Sequence, residues 1–561
     1  MLLWMLTIGC GDKDTSSEDT AESVIQDTAD TAEDSTIPDT PPVWYGDIQP
    51  MIATNCSTCH HEGGAAPFSF EQLETVEPLA SVMLNSMQSG SMPPWLPNPD
   101  CIEYQDQRLL ETWQIERFSQ WIEDGLPMGD ASLGESPIPL IEDITPTVSV
   151  SMPSGFTPDT AGGSDQYRCF IMDVDFETET FITETQVIPG SPQVHHVLMY
   201  ALAPEMSEAA QQANGEDGTV GYPCFGDPFP RGGGSYDYGF PTQIGAWVPG
   251  LEPNIFPEGT ALRVAPHSTV VMQVHYSALG GEPREDNTSY HFVTSDQAPE
   301  FIASTRPLAI QDLDIPAGES HATATDQFTN YYDRPVELAS LATHMHLLGK
   351  SQYATIERVD GTSECLLDIA DWDFAWQQSY LPKEKVILEP GDSVEVTCAY
   401  DNSPANQPIV NGEQIEPSDV EWGDGTLDEM CLLYTTTIDP YRPLPPVDAE
   451  PCYGVDSCLE ECGESLACVM GCEAVQFECL TCSLDVFLDC GLSSCALPAL
   501  QAEPCLRECF AKSIMMGSPI GSCFETECPT EYDALVQCAD PVLQGETCAN
   551  QLLDCGIELG E

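Results

Sequence analysis

From about Ile138 to Pro440 the chain is written in short alternating runs, such as "TVVMQVHYS" at 269–277 and "DSVEVTCAY" at 392–400, each closed off by Gly, Pro, Asn or Asp. Alternation sends successive side chains to opposite faces, and the closing residues supply turns, so the segment reads as antiparallel strands. A stretch of about 300 residues in this texture is enough for two β-sandwiches. The expected core of this multidomain chain is therefore two antiparallel, jelly-roll-like sandwich domains, 140–300 and 301–445.

The same strands carry a chemical signal. The chain has ten histidines among 561 residues, and eight of them fall in this segment. Five lie in three short motifs: "SPQVHHVLMY" carries His195 and His196, "VMQVHYS" carries His275, and "THMHLLGK" carries His344 and His346. On a strand, His344 and His346 face the same way and are close enough to share one ion; hydrogen bonding to strand neighbours is the bland alternative. By the same rule the adjacent His195 and His196 face opposite sides, so joint ligation requires a bulge or different ring nitrogens. A fourth piece, "GDGTLDEMCLLYTT", brings Met430. Imidazole accepts both copper oxidation states, and a thioether favours Cu(I).

These motifs in this order, followed by "DEMC", resemble the copper type II, ascorbate-dependent monooxygenases, the group containing peptidylglycine α-hydroxylating monooxygenase and dopamine β-monooxygenase. The resemblance covers about residues 145–440. It implies one copper ion on His195, His196 and His275, and a second on His344, His346 and Met430, the latter being the catalytic set. The first copper is then an electron donor, and the second binds O2 for hydroxylation of a small organic substrate. Ascorbate or another reductant is implied with them. Cys398 and Cys431 match a family disulfide that braces the Met430 strand. Gln273, on the face of His275, is placed either near the path between the coppers or in packing, and Tyr434 is a candidate pocket residue. His267, His291 and His321 match no ligand position and read as surface or packing residues. Peptide-hydroxylating members carry a carboxylate-binding arginine two residues before the first histidine of the pair; this chain has Ala342, so a glycine-extended peptide is not the expected substrate.

Ahead of the strands, Cys56-Ser57-Thr58-Cys59-His60 is the C-x-x-C-H pattern of covalent haem attachment, in which two thiols add to the haem vinyls and the histidine is an axial ligand. A redox disulfide and half a zinc site are the competing readings. The flanking "GDIQPMIATN" and "SGSMPPW" resemble small bacterial c-type cytochrome domains, which implies Met92 as the sixth ligand, with Met83 and Met87 as competitors. Apolar residues at helical spacing in "DQRLLETWQIERFSQWIEDGLPMGD" close a small all-α, cytochrome c-like haem domain, 43–135. His61 reads as a surface histidine. A fused haem c suggests that electrons arrive through haem, instead of or beside ascorbate, with a redox donor protein as a partner.

Twenty-five cysteines are too many for a reducing cytosol, so the chain is expected to be exported. Sixteen lie between Cys452 and Cys555, several as C-x-x-x-C pairs such as Cys458 with Cys462 and Cys505 with Cys509, which places both thiols on one helix face. Residues 450–561 therefore read as a disulfide-rich α-helical module, a spacer or a protein-binding unit, with metal storage as the alternative. Cys101, Cys169, Cys224 and Cys365 have no partner assigned by sequence. Residues 1–10, "MLLWMLTIGC", resemble the tail of a bacterial lipoprotein signal with Cys10 as the lipidated residue; a start further upstream would explain the short apolar run and the missing basic residues. Residues 11–42 are acidic and read as a disordered tether. With 92 acidic against 16 basic residues the net charge is −76, which excludes nucleic acid and anionic membrane surfaces as partners. Membrane attachment is expected only through lipid on Cys10, in a bacterial cell envelope, with periplasmic or secreted forms open. Two other function classes remain: a non-catalytic copper and haem electron-transfer protein, and a cell-surface interaction protein. A complete ligand set favours the enzyme over both.

Overall fold

The structure is a computed structural model; it describes residues 40–443 except 62–65, 67, 106, 134–142, 160–165, 231–240, 249–250, 252, 277–282, 333, 375, 411–412 and 424–426, together with isolated positions between 505 and 534. The lipoprotein-like start, the acidic tether and most of the cysteine-rich module lie outside the described residues. The described cysteines of that module pair as Cys505–Cys528 and Cys509–Cys523.

Residues 44–123 are helical in short pieces. The longest helix, Thr112–Glu123, begins at a capping box in which Glu111 and Gln114 satisfy each other's backbone N–H groups. Its Phe118 and Trp121 are fully buried against Trp44, Ile48, Ile52, Val76 and Ala80, with Met83 and Met87 closing the cluster. Arg117 on the same helix bonds Asp47, tying its polar side to the first turn of the unit.

The β region is built on one ten-stranded sheet faced by two four-stranded sheets. The first half of the long sheet includes Val148–Ser151, Ser289–Ser295, Thr180–Ile188 and Thr260–Val264. It packs against the sheet that holds Gln166–Ile171, Thr269–Tyr276, Val194–Leu202 and Thr242–Trp247. Phe170, Val197, Met199, Met272, Tyr290 and Phe292 fill the space between. The second half includes Phe301–Ala309, Leu432–Pro440 and Val336–His344, and faces Ala322–Thr329, Ser393–Tyr400, Gly349–Glu357 and Ser363–Ile369. Its core includes Leu341, Ala354, Leu367, Val394, Val396 and Leu433. Burying each such side chain stabilises the fold by about 1.5–3 kcal/mol before entropy is counted. The two halves meet through a short parallel pairing, Phe301 beside Thr260 and Ile302 beside Ala261. Two sandwiches were expected; they prove to be joined through one shared sheet, a continuity that fixes the position of one layer relative to the other.

Five disulfides occur among the described residues, which is compatible with an extracellular or secreted protein. No helix among the described residues is long and apolar enough to cross a membrane.

Candidate metal centres

His196 and His275 are cross-strand partners on Val194–Leu202 and Thr269–Tyr276. At the next step the register slips, Tyr276 pairing with Val194, so His195 is the extra residue of a β-bulge. A bulge re-aims the side chain it carries, which is how two adjacent histidines reach the same side of the sheet. The ring nitrogens of His195, His196 and His275 lie within 4.8 Å of one another. Nδ1 of His196 is 3.4 Å from Nδ1 of His195 and 3.3 Å from Nδ1 of His275. It carries either one proton or one in-plane lone pair, so through that atom it hydrogen-bonds one of the two at a time. One metal ion would accept all three rings, since two nitrogens held about 2.0–2.1 Å from it at a tetrahedral angle would be about 3.3–3.4 Å apart. Loss of water, then the charges of His275, His195 and His344, holds the His196 imidazole well below its ordinary pKa and keeps it in the neutral form that ligates.

His344 ends the strand Val336–His344, and His346 lies in the following turn. Their rings are 5.1 Å apart and nearly perpendicular. The expectation of two histidines alternating along one strand is corrected here: the strand stops at the first, and a buried carboxylate shapes the turn. Glu429 accepts from the backbone N–H of His346 at 2.9 Å and of Met430 at 3.3 Å through one oxygen, and of Leu348 at 2.7 Å through the other. One side chain thus draws the His346 turn and the Met430 segment together. Burial pushes the Glu429 carboxyl up to about 7, against the pull of these N–H groups. Gly349 closes the turn, where a Cβ would stand 2.9 Å from Met345 and from Trp372.

Both rings of the pair have a fixed tautomer. Nδ1 of His346 donates to the Asp428 carbonyl at 3.0 Å, and Nδ1 of His344 donates to Gln377 Oε1 at 2.7 Å. The Gln377 amide is itself oriented, its Nε2 donating to the Phe374 carbonyl at 2.9 Å. Because both acceptors are oxygens, the proton sits on Nδ1 and the lone pair on Nε2. Burial, then His346, lowers the His344 pKa to about 3, so this ring also stays neutral. Met430 is buried, its carbonyl accepting from Tyr400 at 3.0 Å, and the Cys398–Cys431 disulfide braces the segment that carries it.

The two clusters approach each other through aromatic rings. Tyr167 is the cross-strand partner of His275 and stacks on it at 4.0 Å. Phe225 meets Tyr167 at 4.4 Å on one side and His346 at 6.1 Å on the other. The Cys169–Cys224 disulfide holds Phe225 in that place, next to the strand of Tyr167. Gln273 is buried and donates to the Asp227 carbonyl at 2.7 Å, which anchors the same hairpin. Tyr434 sits cross-strand from Ala342. Sequence reading missed Tyr167, Phe225, Gln377 and Glu429. Glu429 alone left a trace, as an acid next to Met430 with no basic residue nearby in the chain.

At the helical unit, Cys56 and Cys59 are free thiols, whereas the other described cysteines are all in disulfides. The backbone N–H groups of Cys59 and His60 both donate to the Cys56 carbonyl, so the motif forms one tight turn. His60 stacks on Phe70 at 4.1 Å and donates from Nδ1 to the Phe68 carbonyl at 2.9 Å, leaving the lone pair on Nε2. Met92 is 46% exposed, while Met83 and Met87 are buried. His61 bonds the Ser57 carbonyl, His267 and His321 are exposed, and His291 contacts Ser289.

Two histidine groups thus face each other across aromatic rings, and one of them, His195, His196 and His275, is spaced so that it could hold a metal ion. A family model described as copper type II ascorbate-dependent monooxygenase, C-terminal domain, matches residues 315–457. The match takes in His344, His346 and Met430 and supports a copper-dependent oxidoreductase at that level. Among solved structures, the major capsid protein P2 of bacteriophage PM2 is 10% identical, with 53% of this chain and 98% of that chain covered, at a TM-score of 0.21. A putative secreted protein from Eubacterium rectale is 10% identical, with 49% and 70% covered, at 0.16. At such scores neither likeness carries an argument.

Proposed function

We propose that the chain is a copper-dependent monooxygenase that hydroxylates a C–H bond of a small organic substrate with O2. In this reading one copper is held by His195, His196 and His275, a second by His344, His346 and Met430, and haem c by Cys56, Cys59 and His60. The observation that carries it is the bulge at His195, which costs a ladder pairing and brings three imidazoles to a spacing that one ion would satisfy. A redox dithiol is disfavoured at the C-x-x-C pair. Burial, then Cys59, pushes the Cys56 thiol up to about 12, the opposite of the lowered pKa a redox dithiol needs.

When bound, the two coppers supply one electron each, so that O2, a C–H bond, two electrons and two protons give an alcohol and water. The protein's part is to hold and shield. Gln377 and the Asp428 carbonyl fix Nε2 of His344 and His346 as the ligating atoms, and Glu429 keeps His346 and Met430 in register. Tyr167 and Phe225 fill space between the clusters with apolar ring faces. Ala342, cross-strand from Tyr434 and two residues before His344, offers no charge to a carboxylate, in keeping with a substrate other than a peptide carboxylate.

The test is metal and haem content of the purified protein, by elemental analysis and visible spectroscopy, for wild type beside Met430→Ala. Two coppers and one haem per chain are expected, with Met430→Ala losing O2 reactivity and keeping the haem spectrum. Haem without copper refutes the monooxygenase.

A further inference from the structure

After Met92 the chain leaves the helical cluster, and residues 95–105 cross to the second sandwich before the helix Thr112–Glu123 begins. The crossing is anchored at three points. Cys101 is bonded to Cys365, Asn98 makes two hydrogen bonds to Asp368 at 2.7 and 2.8 Å, and buried Tyr104 donates to the Leu366 carbonyl at 2.8 Å. All three anchors lie on the strand Ser363–Ile369 of the second sandwich. At the head of the segment Trp95 meets Tyr380 edge-on at 5.4 Å.

Tyr380 is buried and lies cross-strand from Leu341, on the strand that ends at His344. Three residues before it, Gln377 holds Nδ1 of His344. Thus one ring contact and one short segment separate Trp95 from a ligand of the His344, His346 and Met430 cluster. The Trp95 Nε1 and the Tyr380 hydroxyl are shut away from water with no hydrogen-bond partner. Each such group carries an uncompensated desolvation cost, which a pair of phenylalanines would avoid. Packing alone does not account for two electron-rich rings kept at that cost.

Resting on the function proposed above, we infer that segment 95–105 is the electron-entry link of this chain. It couples the helical unit that carries Cys56, Cys59 and His60 to the His344, His346 and Met430 site without passing through the three-histidine cluster. Each transfer takes one electron from ferrous haem to cupric copper, leaving ferric haem and cuprous copper, and a one-electron reductant outside the chain restores the haem.

The experiment is anaerobic flash photoreduction of haem in the full-length, copper-loaded protein, with haem reoxidation followed by its visible absorbance. Copper and haem content are checked for every variant. Reoxidation is expected to persist in His275→Ala, to vanish in His344→Ala, and to slow about tenfold or more in Trp95→Leu, while Trp95→Tyr, which keeps an electron-rich ring, stays within about threefold of wild type. Reoxidation that vanishes in His275→Ala and survives in His344→Ala overturns the inference, as does an unchanged rate in Trp95→Leu with full cofactor content. A copper-loaded wild-type protein without a haem spectrum overturns the inference and leaves the copper reading standing, whereas haem without copper overturns the functional reading itself; both failures are visible before any kinetics.

Discussion

Replacing Glu429 by glutamine should weaken one copper site far more than it weakens the fold. The side chain is fully buried, and both of its oxygens accept backbone N–H groups, His346 and Met430 on one and Leu348 on the other. Glutamine keeps one oxygen and puts an NH2 donor where the second stood, so at least one N–H faces another donor. An orphaned buried N–H costs about 1–3 kcal/mol. Part of this is returned, because the carboxylate is itself costly to bury, as its raised pKa shows. The expected net loss of stability is therefore no more than about 1–3 kcal/mol. No such offset applies to geometry, since the amide cannot hold the His346 turn and the Met430 segment in the same register. Loss of a partner that orients ligands typically lowers metal affinity by about 10–100-fold. The assay is Cu(I) competition against a chromophoric chelator in a His275→Ala background, so that one copper site is titrated, with urea unfolding in parallel. A Cu(I) affinity within about twofold of the parent would show that Glu429 does not position these ligands.

Tyr167→Leu removes the ring stacked on His275 and is expected to speed metal loss from the three-histidine cluster by about tenfold with little effect on the other site, read by chelator-capture kinetics on each site alone. Equal effects on both sites would count against it. Arg168→Met deletes a buried guanidinium that bonds Asp217 and the Val220 and Gly221 carbonyls, and should destabilise the protein by about 2–3 kcal/mol in urea unfolding. Hydrogen bonds from Arg168 and Thr219 hold the Asp217 carboxyl well below its ordinary pKa. A depressed folded pKa means stability present above pH ~4 and lost as pH falls below it. The stability gap between wild type and Asp217→Asn should therefore shrink on acidification from pH 5 to about 2.5; exposure of Asp217 keeps that gap under about 1 kcal/mol. The Cys398→Ser, Cys431→Ser double variant opens a loop with a sequence separation of 33 and should lose roughly 3–4 kcal/mol on the chain-entropy estimate, measured by urea unfolding without reductant. An unchanged midpoint would contradict that estimate.

What the sequence displays and what it conceals follow from how far each property reaches along the chain. Strand alternation is local, so the β character of residues 138–440 is readable from any window of it, and the candidate ligand histidines stand out because histidine is rare in this chain and their motifs are short. The shared ten-stranded sheet is different. It depends on a two-residue parallel pairing at Phe301 and Ile302, which leaves no mark in the flanking runs. The bulge at His195 is concealed for a related reason, since a slip of register exists only relative to the partner strand. The same holds for every group that orients a ligand. Tyr167 stacks on His275 through the pairing of two strands distant in sequence, and Gln377 reaches His344 because Ser379–Tyr380 folds back beside it. The bond between Cys101 and Cys365 spans 264 residues and ties a segment of the helical unit to the second sandwich, which no spacing rule could indicate. Ligands are thus a property of residue type, whereas their orientation is a property of pairing. A variant chosen from sequence alone will remove a ligand, while one chosen from the pairing can leave every ligand in place and still move the metal.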